Sequence, residues 1–342
     1  MATHRAAVLS VPDHLSVEAR PSVALASWQV RLRVDLAGVC GTDLALLHGH
    51  LPTPLPLVPG HEFVGTVVEI ASSEDEHWLG QRVCADINNT CLSRREETPC
   101  RACRLGLSHH CQRRDVTGII TAPGAFAEEV IVPAANLFAV PDGVPDERAV
   151  FTEPLAAAIQ AFEQVPVGEG DVVAVLGTGR LGSLIAAVAQ RRGAATLAIA
   201  RRRDALNRLA SLGIGRPMCM TDENPRAVID ELTEGLGADV VVEVTGTPEG
   251  LAQALDLVRP RGTVILKTTC GLPAGGFDET RVVVDEVTLV GSRCGPFNKA
   301  LALLADGGLP VEKLIAETHP LDSIARALER ATQVLKVTVR PR

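Results

Sequence analysis

The sequence has no tyrosine, and aromatic residues make up only 3% of its 342 positions. Acid–base chemistry that rests on a tyrosine hydroxyl is therefore excluded. Excess positive charge is also missing: the formal net charge is −8. A nucleic-acid or membrane-surface partner would be repelled by that balance. No long apolar run is free of charge. The best candidate for a membrane span, VVAVLGTGRLGSLIAAVAQ, carries Arg180 in its middle and glycines at turn spacing. It reads as strand, turn and helix. The N-terminal MATHRAAVLSVPDHLSVEAR lacks an apolar core behind a basic start, so no secretion signal and a cytoplasmic location are expected. In that compartment the nine cysteines are expected to be metal ligands or buried thiols, not disulfides.

What is present divides the chain in two. Residues 1–150 contain short runs such as WQVRLRVDLAGV, FVGTVVEI and QRVCADI, separated by Gly, Pro and polar turns. The alternation in QVRLRVDL predicts a β-rich domain. Near Asp146 the chain turns alanine-rich and helical. From Asp171 onward apolar strands such as DVVAVL, TLAIA and ADVVVEV alternate with helical stretches. Strands this continuously apolar are buried on both faces, which predicts a doubly wound parallel sheet over 151–296. The tail, 297–342, returns to mixed helix and strand. The fold class expected is α/β, with a site between the halves.

VVAVLGTGRLGS sets Gly177-Thr178-Gly179-Arg180-Leu181-Gly182 after an apolar strand and at the start of a helix. The first glycine permits the tight turn, the second admits a pyrophosphate, and the third allows close helix–strand packing. A dinucleotide cofactor is expected here. The next strand ends TLAIARRR, where a carboxylate would ordinarily hold the ribose 2′-hydroxyl of NAD. Ala200 or Arg201 occupies that place and Arg202 follows. Arginine suits a 2′-phosphate, so NADP is expected in preference to NAD.

Two groups of candidate ligands remain. GVCGTD supplies Cys40, Thr42 and Asp43, VPGHEFVG supplies His61 and Glu62, and FTEPLA supplies Glu153. A thiolate, an imidazole and a carboxylate with an open fourth position are what a catalytic zinc requires. Together with EPLA, LGTGRLG, VVVEVTG and LVRPRGTVIL, these motifs resemble the zinc-dependent medium-chain dehydrogenase/reductase family, which includes alcohol, sorbitol and threonine dehydrogenases. The resemblance covers nearly the whole chain. It implies a GroES-like catalytic domain over 1–150 and 297–342 and a Rossmann domain over 151–296. It further implies a catalytic zinc on Cys40 and His61, with Glu153 or Glu62 as the carboxylate ligand. Asp43 would orient His61, and Thr42 would bond the substrate hydroxyl and begin a proton relay. Many members continue that relay through a histidine at the position held here by Ala45. His48 or His50 is the nearest substitute by residue type.

The loop CLSRREETPCRACRLGLSHHC has the spacing Cys91-x8-Cys100-x2-Cys103-x7-Cys111. The last two gaps match the family's structural zinc lobe, whose four thiolates close a tetrahedral site. The first gap is six residues longer than the family's x2, and its Arg94, Arg95, Glu96 and Glu97 are expected to bulge into solvent. The alternative is three cysteines with a histidine from the His109-His110 pair. The resemblance also places Thr245 and Gly246 near the nicotinamide ribose and Thr268 and Thr269 near the carboxamide. Arg293 falls at the domain return and Lys336 by the pyrophosphate.

The implied activity is interconversion of a secondary alcohol, polyol or hydroxy-amine with its ketone, using NADP and two zinc ions per chain. The expected partners are a small-molecule substrate and further copies of the chain, as dimer or tetramer. A zinc-free enone or quinone reductase and a non-enzymatic nucleotide binder with only a structural zinc are the alternatives.

Overall fold

The computed structural model describes every residue except 1, 269–274 and 277. The chain separates into two compact units, Met1–Glu153 with Phe297–Arg342, and Pro154–Pro296. Among the described residues no helix is long and apolar enough to cross a membrane.

The first unit begins with a hairpin, Thr3–Val11 against His14–Pro21, that the sequence reading passes over. Its second strand is mostly exposed, so no apolar alternation marks it. A seven-stranded sheet follows. Its path runs Ile315–Pro320, Lys336–Arg340, Gln29–Gly38, Glu62–Ile70, Arg82–Ala85 and Leu137–Ala139, and Glu129–Pro133 pairs with Gln29–Gly38. All pairings are antiparallel except that between Ile315–Pro320 and Lys336–Arg340. Val30, Leu32 and Val34 point into one core with Val67, Val130 and Val337, as alternation requires. Arg31 interrupts the pattern by being buried, and its Nε bonds Glu69 at 2.7 Å. The central strand feeds directly into the short helix Gly41–Leu47.

The second unit holds a six-stranded sheet. In space its strands lie in the order Arg216–Cys219, Ala195–Ala200, Val172–Leu176, Ala238–Glu243, Val258–Leu266, Thr288–Gly291. All neighbours are parallel. In chain order this is 3-2-1-4-5-6, the doubly wound arrangement with its topological switch beside Val172–Leu176. All five residues of that strand are buried. Arg216–Cys219 is a strand the sequence hides, because Arg216 and Pro217 open it and only Met218 and Cys219 are buried.

Candidate functional site

Cys40 caps the N-terminus of the helix Gly41–Leu47 in extended conformation. Its N–H donates to Asp43 Oδ2 at 2.8 Å. The other Asp43 oxygen accepts from the Gly60 N–H at 3.2 Å and stands 3.3 Å from His61 Nδ1. One fully buried carboxylate thus fixes both loops. Gly60 has φ +98°, and a Cβ there would lie 2.7 Å from the Phe126 nitrogen, so only glycine delivers His61 by this route.

The result is a cluster. Cys40 Sγ, a ring nitrogen of His61 and a carboxylate oxygen of Glu62 lie within 4.8 Å of one another. Glu62 belongs to this group and Glu153 does not. Of the two carboxylates the motifs leave open, the one adjacent to His61 stands in this cluster. Thr42 is close by, its Oγ1 3.8 Å from Cys40 Sγ. His48 turns elsewhere: its Nδ1 pairs with Asp13 Oδ1 at 2.7 Å on the exposed surface, so the expected relay substitute is engaged by an acid.

Burial alone would raise the Cys40 thiol, yet the charge and hydrogen bond of His61 hold it below the ordinary range. Burial opposes charge on His61 as well, but Asp43 and Cys40 raise its pKa well above the usual imidazole value. A buried thiol whose ionised form is favoured by neighbouring positive charge is a site that a divalent cation satisfies on displacing the proton. His61 Nδ1 is buried and faces the Asp43 carboxylate at 3.3 Å. The S, N, O donor set fits zinc.

Glu62 has a second partner that the sequence reading did not foresee. Lys336 Nζ donates to Glu62 Oε2 and, at 3.3 Å, to the Val39 carbonyl. Both side chains are 2% exposed. Burial lowers the Lys336 pKa to about 8. This lysine was expected at a pyrophosphate; the structure gives its ammonium to Glu62 instead. A lysine opening the strand KVTVR, next to the apolar Val337 and Val339, was the available signal.

The four loop cysteines also converge, with all four Sγ atoms within 4.8 Å. None is in a disulfide. Cys91 and Cys111 sulfurs are 3.4 Å apart, and those of Cys100 and Cys111 3.7 Å. Tetrahedral zinc with Zn–S of about 2.3 Å would set sulfurs about 3.8 Å apart, so the quartet fits the ion. Backbone N–H groups of Cys103 and Gln112 lower the Cys100 thiol to about 6. Burial pushes Cys103 up to about 12, a cost that metal binding removes. His109 takes no part: its Nε2 is 2.9 Å from Asp86 Oδ2. The long first gap does not simply bulge into solvent. Ser93 is buried, Arg94 bonds Asp115 and the Arg113 carbonyl, and Arg95 reaches buried Asp75 at 2.7 Å.

In the second unit Gly177 has φ +106°, and a Cβ there would lie 2.7 Å from the Val244 carbonyl oxygen. Gly182 abuts the Gly177 carbonyl. Around Gly179, by contrast, nothing lies within 4 Å of a would-be Cβ, and Gly179 caps the 12-residue helix Arg180–Arg191. Two glycines serve packing and the exposed one leaves the helix N-terminus open to a pyrophosphate. The cradle fits a dinucleotide. Thr178 is buried there and Leu181 half-buried. Arg201 and Arg202 are exposed just past the strand Ala195–Ala200. Thr245 does not offer its proton outward: its hydroxyl donates to Glu243 at 2.6 Å. Arg293 is exposed, and its carbonyl accepts from Lys267 Nζ at 2.9 Å. Thr269 lies outside the described residues.

Residues 26–142 match the alcohol dehydrogenase GroES-like domain family, and residues 181–306 match the zinc-binding dehydrogenase family. A sorbitol dehydrogenase of Halalkalibacterium halodurans is 29% identical over 96% of each chain. The solved alcohol dehydrogenase TADH from Thermus sp. ATN1 is 32% identical, with a TM-score of 0.87 over 98% of this chain and 99% of its own. A structure from Sinorhizobium meliloti 1021 bound to NADP is 27% identical, with a TM-score of 0.88 over the full length of both chains.

Proposed function

The chain belongs to the zinc-binding dehydrogenases built on an alcohol dehydrogenase GroES-like domain, and from that premise we propose that it oxidises a secondary alcohol or polyol, or reduces the matching ketone, with a nicotinamide cofactor. The observation that carries this reading is the approach of Cys40, His61 and Glu62 to within 4.8 Å, in a chain that also builds a dinucleotide cradle. Relatives named for sorbitol, D-arabinitol and erythritol/L-threitol support a polyhydroxylated substrate.

A zinc ion held by Cys40 and His61 would polarise the alcohol oxygen, and the nicotinamide would accept hydride. The residues of this chain do the rest. Asp43 holds the Cys40 and His61 loops in one geometry. Thr42, beside Cys40, accepts the hydrogen bond of the substrate hydroxyl and, as that proton leaves the substrate, passes its own proton on to water. Gly179 and the helix behind it seat the pyrophosphate.

Two zinc ions per chain are proposed, one at Cys40 and His61 and one at Cys91, Cys100, Cys103 and Cys111. NADP is proposed over NAD because Arg201 and Arg202 follow a strand that ends in Ala200, not in an acid. A homodimer or homotetramer is proposed on the exposed Val283 and Val284, which precede the edge strand Thr288–Gly291 in the chain, with sizing by light scattering as the check. The deciding experiment couples a panel of alcohols and polyols to NAD and NADP reduction alongside elemental metal analysis. Turnover in fully metal-stripped protein would refute the zinc reading and favour a zinc-free reductase.

A further inference from the structure

Glu243 is a carboxylate that none of the proposed chemistry uses, yet it is only 3% exposed at the end of the strand Ala238–Glu243. Its register partner on one side is Leu176, the residue before Gly177, and on the other Leu266. It therefore stands at the topological switch of the parallel sheet, level with the mouth of the cradle.

One oxygen, Oε1, accepts both the Thr245 N–H at 2.8 Å and the Thr245 hydroxyl at 2.6 Å. The Thr245 oxygen then accepts from the Thr247 N–H at 3.1 Å. Gly250 leaves the room: a Cβ there would fall 2.5 Å from Thr245 Oγ1 and would also strike Glu243. The turn held in this way is the one against which Gly177 packs. A Cβ at Gly177 would lie 2.7 Å from the Val244 carbonyl oxygen and 2.9 Å from Thr245 Cα. The Val244 N–H meanwhile donates to the Leu176 carbonyl at 3.0 Å.

We propose that Glu243 is a positioning residue for the nicotinamide half of the dinucleotide, acting through Thr245 to hold the 244–247 turn as one wall of the crevice. The adenosine half belongs to the strand Ala195–Ala200 side, where the ribose-binding position lies, so the wall beside the fourth strand faces the other mononucleotide. A carboxylate suits the task because two donors converge on a single oxygen, and charge-assisted bonds are the strong ones. It also takes up the only hydroxyl proton of Thr245. This inference rests on the dinucleotide reading above and adds to it a division of labour within the crevice.

The test is equilibrium binding, not turnover. NADPH, NADH and the adenosine fragments 2′,5′-ADP and AMP are titrated into wild type, Glu243→Gln, Thr245→Val and Thr245→Ser, with melting temperature recorded for each. The expectation is about tenfold weaker dinucleotide binding in Glu243→Gln and Thr245→Val, the scale of one lost charge-assisted bond. Fragment affinity should stay within about twofold, and Thr245→Ser, which keeps the hydroxyl, should bind as wild type does. Equal weakening of dinucleotide and fragment, or no weakening, overturns the assignment. Should Glu243→Gln fail to fold, the Thr245→Val and Thr245→Ser pair decides alone. Wild type that binds no dinucleotide would sink the cofactor reading itself, and this inference with it.

Discussion

Lys336 and Glu62 form an ion pair enclosed on all sides, with Gly38 between their strands. Gly38 is in register with Glu62 on one side and Thr338 on the other. A Cβ at Gly38 would fall 2.5 Å from Glu62 Oε2 and 2.9 Å from Lys336 Nζ. The glycine is there to make space for the pair. A buried charge that loses its partner is costly, on the order of 3–5 kcal/mol, so this relationship is open to a direct test.

Gly38→Ala should therefore destabilise the protein by roughly 1–3 kcal/mol through overpacking. Lys336→Met should cost at least as much, because it leaves Glu62 buried and unpaired. Denaturant melts of protein with the Cys40, His61 and Glu62 cluster metal-free measure both, because an ion there would give Glu62 another partner. A loss below about 0.5 kcal/mol in each would mean that the pair rearranges freely.

Removing the candidate catalytic ligands should separate chemistry from cofactor binding. Cys40→Ser and His61→Ala are expected to abolish turnover and lower zinc content by one ion per chain, with NADPH affinity within about twofold of wild type, since the cradle at Gly177–Gly182 contains neither residue. Metal analysis and fluorescence titration read the two quantities separately. Parallel loss of cofactor binding would contradict the division.

The cysteine quartet should behave oppositely. Cys103→Ser, or a chelator that strips this site, should lower the melting temperature, because three remaining sulfurs hold zinc poorly and burial opposes an uncompensated thiolate. Hydride transfer measured well below the melting point should survive. Unchanged zinc stoichiometry in Cys103→Ser would remove the case for a metal here.

Cofactor choice should follow the arginines after Ala200. Arg201→Asp is expected to shift the NADP-to-NAD ratio of kcat/KM at least tenfold toward NAD, by adding a 2′-hydroxyl acceptor and repelling a 2′-phosphate. An unaltered ratio would show that these side chains stay in solvent.

Acid stability should depend on Glu317. Hydrogen bonds from Arg330 and His319 lower its pKa from 4.5 to about 2. With the folded pKa below the unfolded one, the unfolded state binds more protons between those values. The contribution is thus complete above about pH 4.5 and is lost as pH falls toward 2. The pair is partly exposed, 33% for Arg330 and 29% for Glu317, so the effect is modest. Arg330→Ala should flatten the dependence of melting temperature on pH within that window, and identical curves would refute the assignment.

The sequence alone determined what depends on neighbours along the chain. The glycine turn, the alternation in QVRLRVDL and the four-cysteine spacing each work within about twenty residues. Their periodicity and ligand chemistry are therefore written locally. Even the atypical x8 gap was compatible with four converging sulfurs, although its burial of Ser93 and the pairing of Arg94 with Asp115 were not readable. Tertiary structure decided what depends on register between distant strands. It grouped Glu62, not Glu153, with Cys40 and His61, and it set Lys336 against Glu62 across 274 positions. It also turned Thr245 inward onto Glu243. A buried charge takes its role from whichever partner the packed sheet brings within reach, and separation along the chain does not encode that distance.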